Sequence, residues 1–340
     1  PTGSLSPCCA YTGSFGNFSE IDDLQTHWMN HPAWQAMRAN ELVGVADQSG
    51  CVNCLKNEGL TTVRKDCLEE LVRPNPTEFC KSVELKHLDI AFGNACNLTC
   101  AMCKSEFSTS WYQTDLEFSA SNPWRKSSKP WSMPFDKIDQ LVDWIPNGLS
   151  LEVKGGEPLM DKKFLYFLRR LRALGKSVSL HLVTNFTLVD AEKVDLLREH
   201  LNRGINISVD GCGKTYEWMR GFPFAKLEDN LVKFLPQLYT PEHYCNFNFV
   251  STAFNVTAVA EFWRWVENLS LRTGVEITPN FNFIATNPGY VSPALTPEPD
   301  LAVAQLNHTL ELVKQTKIYT GPYANFRLRR VVEGLESVRT

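Results

Sequence analysis

Three cysteines, Cys96, Cys100 and Cys103, fall within one short segment, ACNLTCAMC. Gly93, Asn94 and Asn97 interrupt any helical period there, so the thiols sit on a loop. Thiolates at this spacing wrap one face of a cubane iron-sulfur cluster, and three ligands for four irons leave one iron open to bind and polarise another molecule. A structural zinc site is the other reading, but it wants four ligands in paired CxxC spacing. Downstream, KGGEPLM supplies Gly155 and Gly156, which let backbone approach a ligand closely, and Glu157 beside them offers a carboxylate. Taken alone, that element is a turn ahead of a helix. ISVDGCGKTYEWMRG carries Ser208, Asp210, Cys212 and Arg220. A guanidinium fork suits a carboxylate, whether that of a ligand or of a surface ion pair.

Such residues need a scaffold, and from about Val83 onward short β-branched runs alternate with amphipathic runs, as in parallel strands joined by crossover helices. Strands are expected at Glu84 to Phe92, Ser150 to Lys154, Ser177 to Thr184, Ile205 to Val209, Cys245 to Thr252 and Val275 to Ile284. Helices are expected between them at Phe135 to Ile145, Asp161 to Leu174, Asp190 to His200, Ala225 to Leu238 and Thr257 to Arg272. Six β/α units imply an α/β fold, an incomplete (β/α)6 barrel of TIM type. Parallel barrels place their chemistry where the βα-loops converge, at the carboxyl ends of the strands. The cysteine triplet, GGEP, Asn185 and Asp210-Gly211 each follow one of the first four strands. That agreement between organisation and motif placement is stronger than any motif alone.

The division expected is a cysteine-rich module at 1–82, the barrel at 83–290 and a helical extension at 291–340. The module has one helix near Pro32 to Glu41, and the extension has helices at Pro297 to Lys317 and Arg327 to Val338. Ser105 to Met133 is too long for an ordinary βα connection, which implies a cover over the site or a grip on substrate.

The 340 residues carry 34 basic and 38 acidic side chains without long like-sign runs, which lacks the footprint of a nucleic-acid binder. No apolar run is long enough to cross a bilayer and the first residues carry no signal pattern, so the expectation is a soluble, cytoplasmic protein. Eleven cysteines in tight local groups argue for metal binding rather than a disulfide framework.

The CxxxCxxC segment resembles the signature of the radical S-adenosylmethionine (radical SAM) superfamily, and the likeness runs from about Leu85 to Asn287. It implies a 4Fe-4S cluster on Cys96, Cys100 and Cys103 whose open iron takes the amino and carboxylate groups of S-adenosyl-L-methionine. The cluster splits that molecule into methionine and a 5'-deoxyadenosyl radical, which abstracts hydrogen from a substrate. By the same resemblance Met102 contacts the adenine, and Gly155, Gly156 and Glu157 hold the ammonium group. Asn185, Ser208 and Asp210 face the ribose, Arg220 reaches the carboxylate, and Ile284 flanks the adenine through its backbone. The ISVDG…RG segment is similar to that of peptide-modifying members, which favours a peptide or protein substrate. A small-molecule dehydrogenase acting on a sugar or cyclitol is the runner-up. Cys212 is a candidate hydrogen donor to a substrate radical, with a buried thiol as the plainer reading.

Leu5 to Arg64 resembles the twitch or SPASM extension of such enzymes, here placed before the barrel, and implies a second, auxiliary 4Fe-4S cluster. Cys51 and Cys54 form its CxxC, with Cys8 or Cys9 or both on the other side and Cys67 or Cys80 as a possible fourth ligand. The same cysteines also describe a zinc ribbon. The resemblance implies an electron donor such as flavodoxin or ferredoxin. An iron-sulfur electron-transfer or scaffold protein is the alternative of another class, and it has no need of GGEP or Arg220.

Overall fold

The structure is a computed structural model that describes residues 3–42, 45–57, 84–119, 121, 127–283, 291–315 and 332. Six strands form one parallel sheet in the order β1 to β6: His87–Ala91, Leu149–Lys154, Val178–Thr184, Gly204–Ser208, Tyr244–Ser251 and Ile277–Phe283. Each strand pairs with the next in sequence, in registers such as Asp89 with Glu152 and Asn248 with Asn280. Right-handed crossovers between sequential neighbours place every connecting helix on the same side. The sheet is therefore singly wound and parallel, consistent with a partial TIM barrel. It is not the doubly wound arrangement, in which strand order reverses. β6 carries Pro279, which cannot donate to a ladder, and β6 is accordingly an edge strand.

Alternation along each strand separates two environments. Leu151, Val153, Leu180, Leu182, Ile207, Phe247, Phe249 and Phe281 are fully buried in the main apolar core. The opposite face is polar. There Glu152 meets His181 at 3.4 Å, Lys154 pairs with Asp89, and Asn280 donates to Asn248 at 2.7 Å.

In chain order the helices are α1 (Leu24–Asn30), α2 (Pro32–Leu42), α3 (Val52–Asn57), α4 (Tyr112–Phe118), α5 (Phe135–Trp144) and α6 (Lys162–Ala173). They continue with α7 (Ala191–Arg198), α8 (Gly213–Arg220), α9 (Phe224–Leu238), α10 (Val259–Thr273) and α11 (Pro299–Gln315). Asp161 and Asp190 cap α6 and α7, each accepting a backbone N–H of the first turn. The strand and helix expectations hold to within a few residues. The sequence reading had no α8, because two glycines, Gly211 and Gly213, sit at its start. Nor did it have α1, α3 or α4.

The amino-terminal segment packs on the barrel rather than standing apart. Ile21 and Leu24 join the main core, the Trp28 ring lies 6.4 Å from that of Trp144 on α5, and Lys137 donates to the Asp22 carbonyl at 2.8 Å. Ile284, Cys67 and Cys80 lie outside the described residues, as does the helix expected at Arg327 to Val338 except for Val332. Among the described residues no helix is long and apolar enough to cross a membrane.

Candidate active site

Beyond the carboxyl ends of β1 to β4 lies a cavity of about 170 Å³. Cys96, Cys100 and Cys103 line it together with Gly155, Gly156, Glu157, Asn185, Ser208 and Arg220. The sequence reading missed Leu98, Phe107, Lys154, Val183 and Thr184, which complete the wall. Lys154 and Thr184 had a signal, since each ends a strand directly ahead of a residue already singled out.

The cysteine loop is fixed through its backbone. Trp111 donates to the Cys100 carbonyl at 3.1 Å, Ser110 to that of Cys96 at 2.8 Å and Ser108 to that of Leu98 at 2.9 Å. Ala101 donates its N–H to the Met219 carbonyl at 2.8 Å, tying the loop to the end of α8. Fully buried Asn94 ties the long connection to β1: its carboxamide accepts the Trp131 N–H at 2.7 Å and donates to Ser105 and Lys129. That connection contributes Phe107 to the cavity wall.

Gly155 and Gly156 are required by close approach. A Cβ at Gly156 would stand 2.0 Å from the Ala95 carbonyl oxygen, and one at Gly155, where φ is +138°, would stand 2.7 Å from that of Gly93. The GGEP turn and the cysteine loop are thus in backbone contact. Glu157 is buried and its oxygens are occupied. It accepts the Thr184 hydroxyl at 2.5 Å, the Leu159 N–H at 2.9 Å and the Asn185 N–H at 2.7 Å. Burial pushes its carboxyl above the usual range, against the pull of those donors. Asn185 also donates to Asn97 and accepts from Thr187. Phe186, next in the chain, has a left-handed φ of +58° and its carbonyl accepts the Asn230 carboxamide at 3.2 Å.

Arg220 lines the cavity and Asp210 stands behind it. Asp210 does not line the cavity; it is fully buried, accepts the Val250 N–H at 2.7 Å and forms an ion pair with Arg220 Nε. Arg220 Nη1 reaches Cys100 Sγ at 3.4 Å. Ten positions of separation become contact because α8 turns the chain back over the end of β4. Cys212 is also absent from the cavity wall. It lies buried just before α8, and burial together with Glu261 pushes its thiol up to about 12. Met102 is partly exposed and outside the wall.

Whether this wall fits an iron-sulfur cluster is a matter of donor chemistry. Its metal-binding donors are three soft thiols, all pushed upward in pKa by burial, Cys103 to about 12. Among the described residues no three His, Cys, Asp or Glu side chains are gathered as a single ion needs. The three thiols line one cavity together with Gly155 and Gly156. The Tyr216 hydroxyl, within electrostatic reach of Cys100 and Glu157, is buried without a hydrogen-bond partner among the described residues. The residues fit the group.

In the amino-terminal segment Cys8 and Cys9 are exposed, and Cys51 and Cys54 are half-buried at the start of α3. The two stretches touch: Thr12 donates to the Gly50 carbonyl at 3.1 Å, and Tyr11 to Asp47 at 2.5 Å. Cys9 lies within electrostatic reach of Lys154 on the cavity wall.

No curated protein matches the chain. Among solved structures it is similar to Streptococcus suis SuiB bound to its precursor peptide SuiA, with a TM-score of 0.47 and 14% identity over 76% of this chain and 57% of that one. It is also similar to native anSMEcpe with bound AdoMet, with a TM-score of 0.45 and 16% identity over 67% of this chain and 60% of that one. The chain thus spans less than two thirds of the length of either. The model of the Radical SAM superfamily matches residues 90–234, from β1 into α9. That stretch, which is similar to the Radical SAM superfamily model, holds the three cysteines, the glycine turn and the Asp210–Arg220 pair.

Proposed function

We propose that the chain is an enzyme that binds a 4Fe-4S cluster through Cys96, Cys100 and Cys103 and cleaves S-adenosyl-L-methionine reductively. The carrying observation is the single cavity that gathers those thiols with Gly155, Gly156, Glu157, Asn185, Ser208 and Arg220. When bound, the cluster and its ligand supply a 5'-deoxyadenosyl radical for hydrogen abstraction, and the chain contributes position and a water-poor wall. Gly155 and Gly156 offer backbone to the ligand, and Arg220 offers its remaining donors to a carboxylate. Glu157 acts mainly by fixing Thr184 and Asn185.

A peptide or protein is the proposed substrate, on the likeness of the ISVDG…RG segment to peptide-modifying members. We also propose that the segment 1–82 is a twitch-like module with an auxiliary cluster on Cys8, Cys9, Cys51 and Cys54, and Cys67 in reserve. The meeting of the two cysteine stretches and the nearness of Cys9 to Lys154 support it. An electron donor such as flavodoxin or ferredoxin would serve it.

The test is anaerobic reconstitution with counting of iron and sulfide, reduction by dithionite, addition of S-adenosyl-L-methionine and quantification of 5'-deoxyadenosine beside a Cys100→Ala control. About eight irons per chain and control-sensitive 5'-deoxyadenosine support both clusters, whereas about four leave only the barrel site. A reducible cluster that yields no 5'-deoxyadenosine favours the electron-transfer alternative.

A further inference from the structure

We infer that Arg220 is a positioning residue that sets the reduction potential of the centre held by Cys100, and that Asp210 fixes it in place. The inference rests on reading the three cysteines as a cluster site. Its own observation is the contact of Arg220 Nη1 with Cys100 Sγ at 3.4 Å.

The geometry is built from behind. Asp210 accepts the Val250 N–H at 2.7 Å through Oδ1 and turns Oδ2 to Arg220 Nε. Asn255 holds the same corner, donating to the Asp210 carbonyl at 3.0 Å and to the Val250 carbonyl at 2.9 Å. Asp210 is fully buried and Arg220 is 9% exposed, so neither solvent nor salt screens the contact well. The pair is neutral as a whole and presents its positive end to the sulfur. Reduction adds negative charge at the centre, and a fixed N–H donor and cation beside a ligating thiolate favour that added charge. Hydrogen bonds to the ligating sulfurs are among the protein's levers on cluster potential. A guanidinium already engaged at Nε and Nη1 is also held still, whether or not its remaining donors meet a ligand carboxylate.

The experiment is an EPR-monitored redox titration of the full, anaerobically reconstituted chain without S-adenosyl-L-methionine, comparing the native protein with Arg220→Gln, Arg220→Lys and Asp210→Asn at matched iron content. At the native midpoint the reduced-to-oxidised ratio of Arg220→Gln is expected to fall about tenfold, equivalent to about 59 mV for one electron. Arg220→Lys, which keeps the charge but not the fork, is expected to shift less in the same direction, and Asp210→Asn to shift downward as the arginine loses its anchor. Native midpoints in Arg220→Gln and Arg220→Lys would overturn the inference. If Arg220→Gln holds no iron, Arg220→Lys decides by the same criterion. If neither variant holds iron, the role is purely structural and the inference fails. A rise in Asp210→Asn removes Asp210 from it. A native protein with no reducible cluster would instead overturn the reading beneath, a distinct result.

Discussion

Asn97 in the cysteine loop accepts the side-chain N–H of Asn185 after β3 at 3.0 Å, and donates its own to Thr187 at 2.9 Å. Two loops that carry different parts of the proposed ligand site are therefore one hydrogen-bonded unit. Asn97→Ala is expected to cost about 1 kcal/mol of ligand binding, roughly fivefold in the dissociation constant for S-adenosyl-L-methionine. Calorimetry on loaded protein checks this, and native affinity would reduce the network to scaffolding.

Gly156→Ala places a methyl group against the Ala95 carbonyl. Backbone must move, at a cost of about 1–3 kcal/mol, and it moves the cysteine loop. Urea unfolding should register the loss, and the iron-to-protein ratio after reconstitution should fall with it.

Glu157→Gln keeps the shape but replaces one oxygen by an amide N–H₂, which then faces either the Asn185 N–H or the Thr184 hydroxyl and Leu159 N–H. Hydrogen bonds to a charged acceptor are worth about 1.5–3 kcal/mol each, so the variant is expected to lose at least that much stability. A native denaturation midpoint would contradict the picture of Glu157 as an anchor for the end of β3.

Glu152 predicts an acid limb. Its hydrogen bond with His181 holds its carboxyl at about 2, below the ordinary 4.5. A depressed carboxylate contributes stability that is present above its unfolded pKa and is lost as pH falls through the folded one, here between 4.5 and about 2. Glu152→Gln should flatten the dependence of the urea midpoint on pH in that window.

Tyr216→Phe removes a buried hydroxyl without a partner among the described residues. An unsatisfied buried hydroxyl costs about 1–3 kcal/mol, so the cluster-free variant should unfold at equal or higher denaturant than the native chain. A clear loss would reveal a partner for that hydroxyl in solution.

The strands were legible because alternation survives in them: SLEVK and CNFNFVST display their buried and polar faces directly. The cavity residues were legible where a motif ends a strand. The Asp210–Arg220 pair was not. Nothing in the linear sequence reveals that α8 folds Arg220 back onto Asp210 and Cys100. Cys212 follows Asp210-Gly211 in sequence, and the turn into α8 takes it out of the cavity wall. Two of the partners of Glu157, Thr184 and Asn185, come from β3 and the turn after it and had no local signature. The amino-terminal cysteines gave a spacing but no depth, so their exposure could not be read.

The left-handed turn at Phe186 bears on how this chain can change over generations. A bulky residue there costs about 1–2 kcal/mol of backbone energy. Thr184 offsets it by accepting the Phe186 N–H, as does Asn230 by donating to the carbonyls of residues 186 and 187. Glycine would ease the backbone but leave a hole where a fully buried ring now sits. Loss of Asn230 would leave the strain without its counterweight. Positions 184, 186 and 230, distant in sequence, therefore constrain one another, and drift at any one of them is expected to be tolerated only with compensation at the others.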